Sequence, residues 1–297
     1  MNHYFRTYYQ IMAKIKDYLS LVVFNHTVFA MPFALIGFFV AVCYSGYSFS
    51  WITLLLCIGC MVFARNAAMG FNRWADRYID GKNPRTAQRE IPAGIIKDKA
   101  ALAFSIMNAV LFVAAAGLIN PLCLKLSPVA LIVVLGYSYT KRFTWLCHLI
   151  LGLGLSIAPI GAYIAISAHF HWLPLLFSVI VLTWVSGFDI IYALQDEDFD
   201  KSNGFYSIPS KVGVRNALYI SVFLHIITGS MVIITGIVAT FGLLYWLGCS
   251  IFTALLIYQH LIVKPTDLKR VNRAFGTTNG IASVIFATLV IADLLLR

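Results

Sequence analysis

The sequence predicts an all-α polytopic membrane protein, with about nine transmembrane helices in one bundle and a cytoplasmic N-terminus. Three observations predict it. Of the 297 residues, 60% are apolar and 11% are charged, whereas a soluble globular chain carries about 25% charged residues. Apolar runs long enough to cross a bilayer recur from end to end. Nearly all the lysines and arginines fall in alternate connections between those runs. The ten-residue alternating segments of a membrane barrel are absent, which leaves the helix as the structure that satisfies its own backbone in lipid. No shift in composition marks a boundary, so residues 1–297 are expected to form a single domain.

Taken in order, residues 1–17 are mixed and basic, the pattern of an interfacial helix leading in. Apolar runs follow at about 20–44, 51–71, 101–119, 126–140, 145–168, 173–195, 215–237, 239–262 and 277–296. The run at 126–140 is short for a span and extends upstream if it includes Pro121. The first run is too long for a signal peptide and lacks its small-residue cleavage site. Lys and Arg before the first run, and in the second, fourth, sixth and eighth connections, account for 19 of the 22. Only Lys125 falls in the other connections, Arg297 ends the chain and Arg65 lies inside a span. That asymmetry assigns the basic connections to the cytoplasm and the chain to the inner, cytoplasmic membrane as a multi-pass protein. It also accounts for the net charge of +10 without a nucleic-acid partner.

The acids carry the functional signal. Seven of the twelve Asp and Glu fall in two short windows, Asp76–Asp80 and Asp189–Asp200, each closing a span on the same side of the membrane. Residues four apart on a helix share a face, so Asn72, Asp76 and Asp80 align, as do Asp189, Tyr192, Asp196 and Asp200. Carboxylates in pairs form a hard-oxygen site suited to Mg²⁺, which takes one or two carboxylates and completes its shell with water and phosphate. The neighbouring arginines and lysines suit a diphosphate. Acids, bases and metal together imply a polyanionic ligand bridged by cations. A solvated charge run is the ordinary meaning of such a cluster, and Glu90, Asp98, Glu197 and Asp198 are assigned to it.

Several other residues have two readings. Arg65, inside a span, either pairs structurally, with Asp189 as a candidate partner, or meets a substrate anion; the second is preferred because intramembrane charges usually face a cavity. Lys141 and Arg142 are either positive-inside flanking residues or a further grip on diphosphate, with Tyr137 and Tyr139 beside them. Asn25 and His26 form a polar pair in the first span that suits a pocket wall. His169 and His171 are interfacial. The six cysteines, including Cys57 and Cys60 at C-x-x-C spacing, are read as small apolar residues because nothing polar surrounds them.

The pair of motifs, Asn72-x-x-x-Asp76-x-x-x-Asp80 and Asp189-x-x-Tyr192-x-x-x-Asp196-x-x-x-Asp200, resembles the two signatures of the UbiA superfamily of intramembrane prenyltransferases. The stretches 64–73, Asn83-Pro84-Arg85-Thr86, 137–145 and 188–192 are similar to the 4-hydroxybenzoate polyprenyltransferase-like branch, which includes enzymes of alternative menaquinone pathways. The resemblance covers nearly the whole chain. It implies a nine-helix bundle with a central cavity open sideways to lipid, and Mg²⁺-dependent transfer of a polyprenyl group from its diphosphate to an aromatic ring in quinone biosynthesis. By it, Asn72, Asp76 and Asp80 hold one ion, and Asp196 and Asp200 the other. Arg77, Lys141 and Arg142 grip phosphate, Asp189 positions or deprotonates the acceptor, and Arg65 holds its carboxylate. The partners implied are polyprenyl diphosphate, an aromatic small molecule and the lipid bilayer. Acceptor identity (4-hydroxybenzoate, a naphthoate or another), prenyl chain length and oligomeric state are not legible. A transporter is the alternative of a different class, disfavoured because the acids sit at one membrane face rather than at the midplane.

Overall fold

The computed structural model describes residues 16–22 and 29–297. Arg6, Lys14, Asn25 and His26 lie outside the described residues. Among those described, eight helices are long and apolar enough to span a membrane, and a shorter apolar one, Met31–Tyr44, precedes them. The elements are α1 (Met31–Phe39, continued by a π-turn over Val40–Tyr44), α2 (Trp51–Ala75), α3 (Arg77–Lys82), α4 (Asp98–Ile119), α5 (Pro121–Thr140), α6 (Cys147–Ser167) and α7 (Trp172–Ala193). After a 3₁₀ turn at Leu194–Asp196 come α8 (Glu197–Asn203), α9 (Ile208–Val238), α10 (Leu243–Ile262), a π-turn at Arg273–Thr278 and α11 (Asn279–Leu295).

The short run at 126–140 does extend upstream. Asn120 caps α5 by accepting the Cys123 N–H at 2.8 Å, and Pro121 takes the first turn, where its missing N–H costs nothing. The Asn120 amide also donates to the Ile164 and Ala165 carbonyls, tying the start of α5 to the end of α6.

The bundle has a filled half and a hollow half. Helices α1, α6, α7, α9, α10 and α11 pack in a closed ring, each against the next. Its centre is aromatic: Phe33, Trp184, Phe252 and Phe286 are fully buried, with ring centroids 5.0–6.4 Å apart. Trp184 satisfies its indole N–H on Asn279 at 2.9 Å, which allows so large a side chain at the centre. Many of the chain's aromatics therefore make core, not cavity wall. Close approach matters here: a Cβ on Gly37 of α1 would lie 1.9 Å from the Pro159 carbonyl oxygen of α6. The other half is α2, α4 and α5 set against α6, and these four enclose a cavity of about 360 Å³.

The far end of the bundle is closed by a buried acid. Asp293 of α11 accepts the Gly242 and Tyr245 N–H groups at 2.9 and 3.3 Å, so a carboxylate from one helix stands at the N-terminus of another, where the helix dipole favours negative charge. Arg297 completes the arrangement by donating to Asp293 and to the Ala239 and Thr240 carbonyls. Asp293→Ala removes the acceptor of the buried Tyr245 N–H and of the part-buried Gly242 N–H and is expected to cost about 1–3 kcal/mol of stability. Thermal unfolding in detergent should show the loss, with the activity of the remaining folded protein unchanged.

Candidate active site

Both acidic motifs break their helix at the central aspartate. Asp76 has φ −93°, ψ 3°, between α2 and α3; Asp196 has φ −108°, ψ 6°, at the last residue of the 3₁₀ turn, where it precedes α8. Each lies in the sparsely used bridge region, where active-site residues often sit. Neither motif is thus one continuous helix. The first keeps its alignment because the Asp76 N–H still reaches the Asn72 carbonyl at 2.9 Å and the Asp80 N–H reaches the Asp76 carbonyl at 2.8 Å.

Asp76 is 3% exposed and holds two cations: Lys141 Nζ at 2.7 Å and Arg142 Nη2 at 3.2 Å. Asn72 donates to it at 3.4 Å. Arg142 is braced by the Ala75 carbonyl at 2.7 Å and by the face of Tyr139, 4.7 Å below it. Asp80, 4% exposed, accepts from Arg89 at 2.8 Å, while its Oδ2 is buried with no hydrogen-bond partner among the described residues.

The loop after the first motif reaches across to the second. Asn83 donates to Asp196 Oδ1 at 2.9 Å. Arg85 grips both oxygens of Asp196 through Nε and Nη2, and its Nη1 donates to the Tyr192 hydroxyl at 2.9 Å. Burial works against the Arg85 charge, but the bonds to Asp196 and Tyr192 outweigh it and hold the guanidinium above its ordinary range. Thr86 closes the loop on the Asp80 carbonyl at 3.0 Å. Stretches 113 residues apart in sequence thereby form one site.

Two predicted residues, Arg77 and Asp189, find partners outside this clasp. Arg77 donates to the Trp74 carbonyl, lies over the Trp74 and Tyr78 rings and pairs with Asp98 at 3.9 Å, outside the two motifs. Asp189 is bonded to His148, one helix over, at 2.7 Å. Asp200 neighbours the Ser207 hydroxyl and lies in the field of Asp196 and Lys141. Arg65 and Tyr137 line the cavity of α2, α4, α5 and α6, and Cys57, Cys60 and Cys123 are among its apolar walls. His171 caps α7 at the opposite end, in keeping with an interfacial role.

Residues 30–287 match the UbiA prenyltransferase family. The chain belongs to that family. This UbiA-family chain is 28% identical to a 4-hydroxybenzoate octaprenyltransferase of Vibrio campbellii over 97% of each sequence. Its fold superposes on the apo structure of a UbiA homolog from Aeropyrum pernix K1 with a TM-score of 0.82 and 30% identity, covering 90% of this chain and 98% of that one. A UbiA homolog from Archaeoglobus fulgidus bound to GPP and Mg²⁺ shares the fold, with a TM-score of 0.69 and 20% identity over 94% of this chain and 99% of its own. The chain is a prenyltransferase, and the transporter alternative falls away.

Sequence reasoning did not assign site roles to Asn83, Arg85, Arg89 or His148. The asparagine and arginines sit in a basic loop in which, Arg77 apart, no single residue stands out from the topology signal. The usable clue was Asn83-Pro84-Arg85-Thr86, a turn sequence that sends the chain back over the motif.

Proposed function

We propose that this UbiA prenyltransferase moves a polyprenyl group from its diphosphate to the ring of an aromatic acid of the 4-hydroxybenzoate type. The observation that carries the reading is the clasp of Asn83 and Arg85 on Asp196, which sets two carboxylate motifs and four cations over one apolar cavity. The relatives' name and the Arg65 guanidinium in the cavity wall support the acceptor class.

The residues fit Mg²⁺. No three acids, histidines or cysteines converge among the described residues, but Mg²⁺ needs only one or two carboxylates when a phosphate completes its shell. The buried, unbonded Oδ2 of Asp80 is a donor atom of the right kind. Asn72, Asp76 and Asp80 would hold one ion and Asp196 and Asp200 a second. When bound, the metal supplies Lewis-acid neutralisation of the diphosphate leaving group.

The remaining work falls to the chain. Lys141, Arg142, Arg85 and Arg89 rest on carboxylates and are placed to turn toward phosphate oxygens, where they take up the charge that develops as the prenyl C–O bond breaks. The cavity walls are almost wholly apolar, which excludes water from the allylic cation, and Tyr137 offers it a ring face. As the acceptor ring attacks the allylic carbon, Asp189 takes its hydroxyl proton, giving a ring ketone; loss of the ring proton to the departing diphosphate and return of the hydroxyl proton from Asp189 restore the phenol. Arg65 holds the acceptor's carboxylate. A naphthoate is the second acceptor class this arrangement accommodates, because Arg65 reads the carboxylate and not the ring.

The test is purified protein with labelled polyprenyl diphosphate, Mg²⁺ and a panel of 4-hydroxybenzoate, a hydroxynaphthoate, phenol and benzoate. Transfer to the hydroxy acids over phenol is expected. Arg65→Leu should shrink that preference by ~10–100-fold, the worth of a hydrogen bond to a charged group. Equal transfer to phenol, or a preference that survives in Arg65→Leu, contradicts the acceptor assignment.

A further inference from the structure

His148 opens α6 and is 3% exposed, facing Asp189 of α7. The helices meet closely there: a Cβ on Gly152 would lie 2.3 Å from the Ser186 hydroxyl, and that hydroxyl donates back to the His148 carbonyl at 3.2 Å. The two ring nitrogens of His148 have different partners. Nε2 lies 3.3 Å from the backbone nitrogen of Ile208, and a backbone N–H can only donate. Nε2 therefore accepts. The ring proton must stand on Nδ1, which donates to Asp189 Oδ2 at 2.7 Å. Protonating Nε2 as well would set N–H against N–H.

The Ile208 amide is itself fixed. Ile208 is the first residue of α9, so its N–H has no partner within the helix and is free to serve His148. Ser207 caps that helix in a reciprocal box: its hydroxyl accepts the Ser210 N–H at 3.2 Å, and its own N–H donates to the Ser210 hydroxyl at 2.9 Å. The same segment is anchored to the diphosphate end, because the Tyr206 N–H donates to the Lys141 carbonyl at 2.7 Å.

We propose that His148 is a positioning residue for acceptor activation: it donates one hydrogen bond to Asp189, fixes that carboxylate in a single rotamer and leaves its charge intact. This rests on the reading of Asp189 as the group that takes the acceptor proton. A neutral donor is what that role requires. An imidazolium would neutralise the carboxylate, whereas a neutral imidazole orients it and leaves it basic. A fifth of the Asp189 side chain remains open, the edge an acceptor hydroxyl would reach.

The experiment compares full-length wild type, His148→Ala and His148→Asn with Mg²⁺, labelled polyprenyl diphosphate and 4-hydroxybenzoate. Asparagine can set an amide N–H where Nδ1–H stood. His148→Ala should lower kcat/KM for the acceptor by ~10–100-fold, the scale of a charge-assisted hydrogen bond, with KM for the diphosphate changed less than about twofold. His148→Asn should recover most of that loss. If the alanine variant does not fold, His148→Met, similar in volume and without a donor, replaces it. Wild-type rates in the variant lacking a donor, equal losses for both substrates, or no recovery with asparagine each overturn the role. Wild-type protein that transfers to no aromatic acid overturns the reaction reading and this role with it; normal wild-type transfer confines any failure to His148.

Discussion

Asp76→Ala is expected to abolish prenyl transfer while leaving the protein folded. Two effects compete in this variant. Removing a buried carboxylate strands Lys141 and Arg142, and an uncompensated buried charge would cost several kcal/mol. Those cations are, however, 30% and 35% exposed, so water takes over their solvation and the structural cost falls to about 1 kcal/mol or less. The catalytic cost is larger. In the proposed reaction Asp76 is both a metal donor and the anchor of Lys141 and Arg142, the two cations proposed to meet phosphate. Losing preorganised electrostatic stabilisation of a leaving group lowers kcat by ~10³-fold or more. Product formation assayed beside size-exclusion and thermal-unfolding profiles separates the two: activity should vanish and the unfolding profile should barely move.

Arg85→Ala should act on the donor substrate. Arg85 bonds Asp196 through two nitrogens and Tyr192 through a third, so it joins the first motif's loop to the second motif. Its loss should lower kcat/KM for the polyprenyl diphosphate by ~10–100-fold, as charge-assisted bonds are lost. Arg85→Lys should recover little, because an ammonium cannot reproduce the planar fork. Arg77→Ala is the control. Arg77 lies over Trp74 and Tyr78 and donates to the Trp74 carbonyl, so the geometry predicts a much smaller effect on the donor. Steady-state kinetics with the diphosphate varied rank the three, and an Arg77 effect as large as that of Arg85 would restore Arg77 to the diphosphate grip.

The spans were legible because lipid imposes one strong rule, continuous apolarity over a bilayer's thickness, and the sequence obeys it almost without exception. The aspartates were legible because the rest of the chain nearly excludes acids. Other features left weaker traces. The breaks at Asp76 and Asp196 carry no Gly or Pro, so an unbroken helix was the natural reading, and only the backbone angles correct it. Arg85 and Arg89 were hidden by their surroundings, since one arginine in a basic loop looks like the next. His148 is one of a few polar residues in an apolar run, and its meaning comes from Asp189 and Ile208, distant in sequence. Asp293 reads as a stray acid near the end of the chain, yet it caps a helix that starts about fifty residues before it. Pairwise long-range bonds of this kind have no periodicity, which is why pattern reading passes over them.

The central claim is that the two acidic motifs form one metal-dependent diphosphate site. Its most direct test is stoichiometric: purified protein in lipid nanodiscs, labelled polyprenyl diphosphate and 4-hydroxybenzoate, with diphosphate and prenylated acid counted together as Mg²⁺ is added and then chelated. The account predicts one diphosphate per prenylated acid, no turnover after chelation, and the same loss in Asp76→Ala and Asp196→Ala. Turnover that survives chelation, or full activity in either variant, would contradict it.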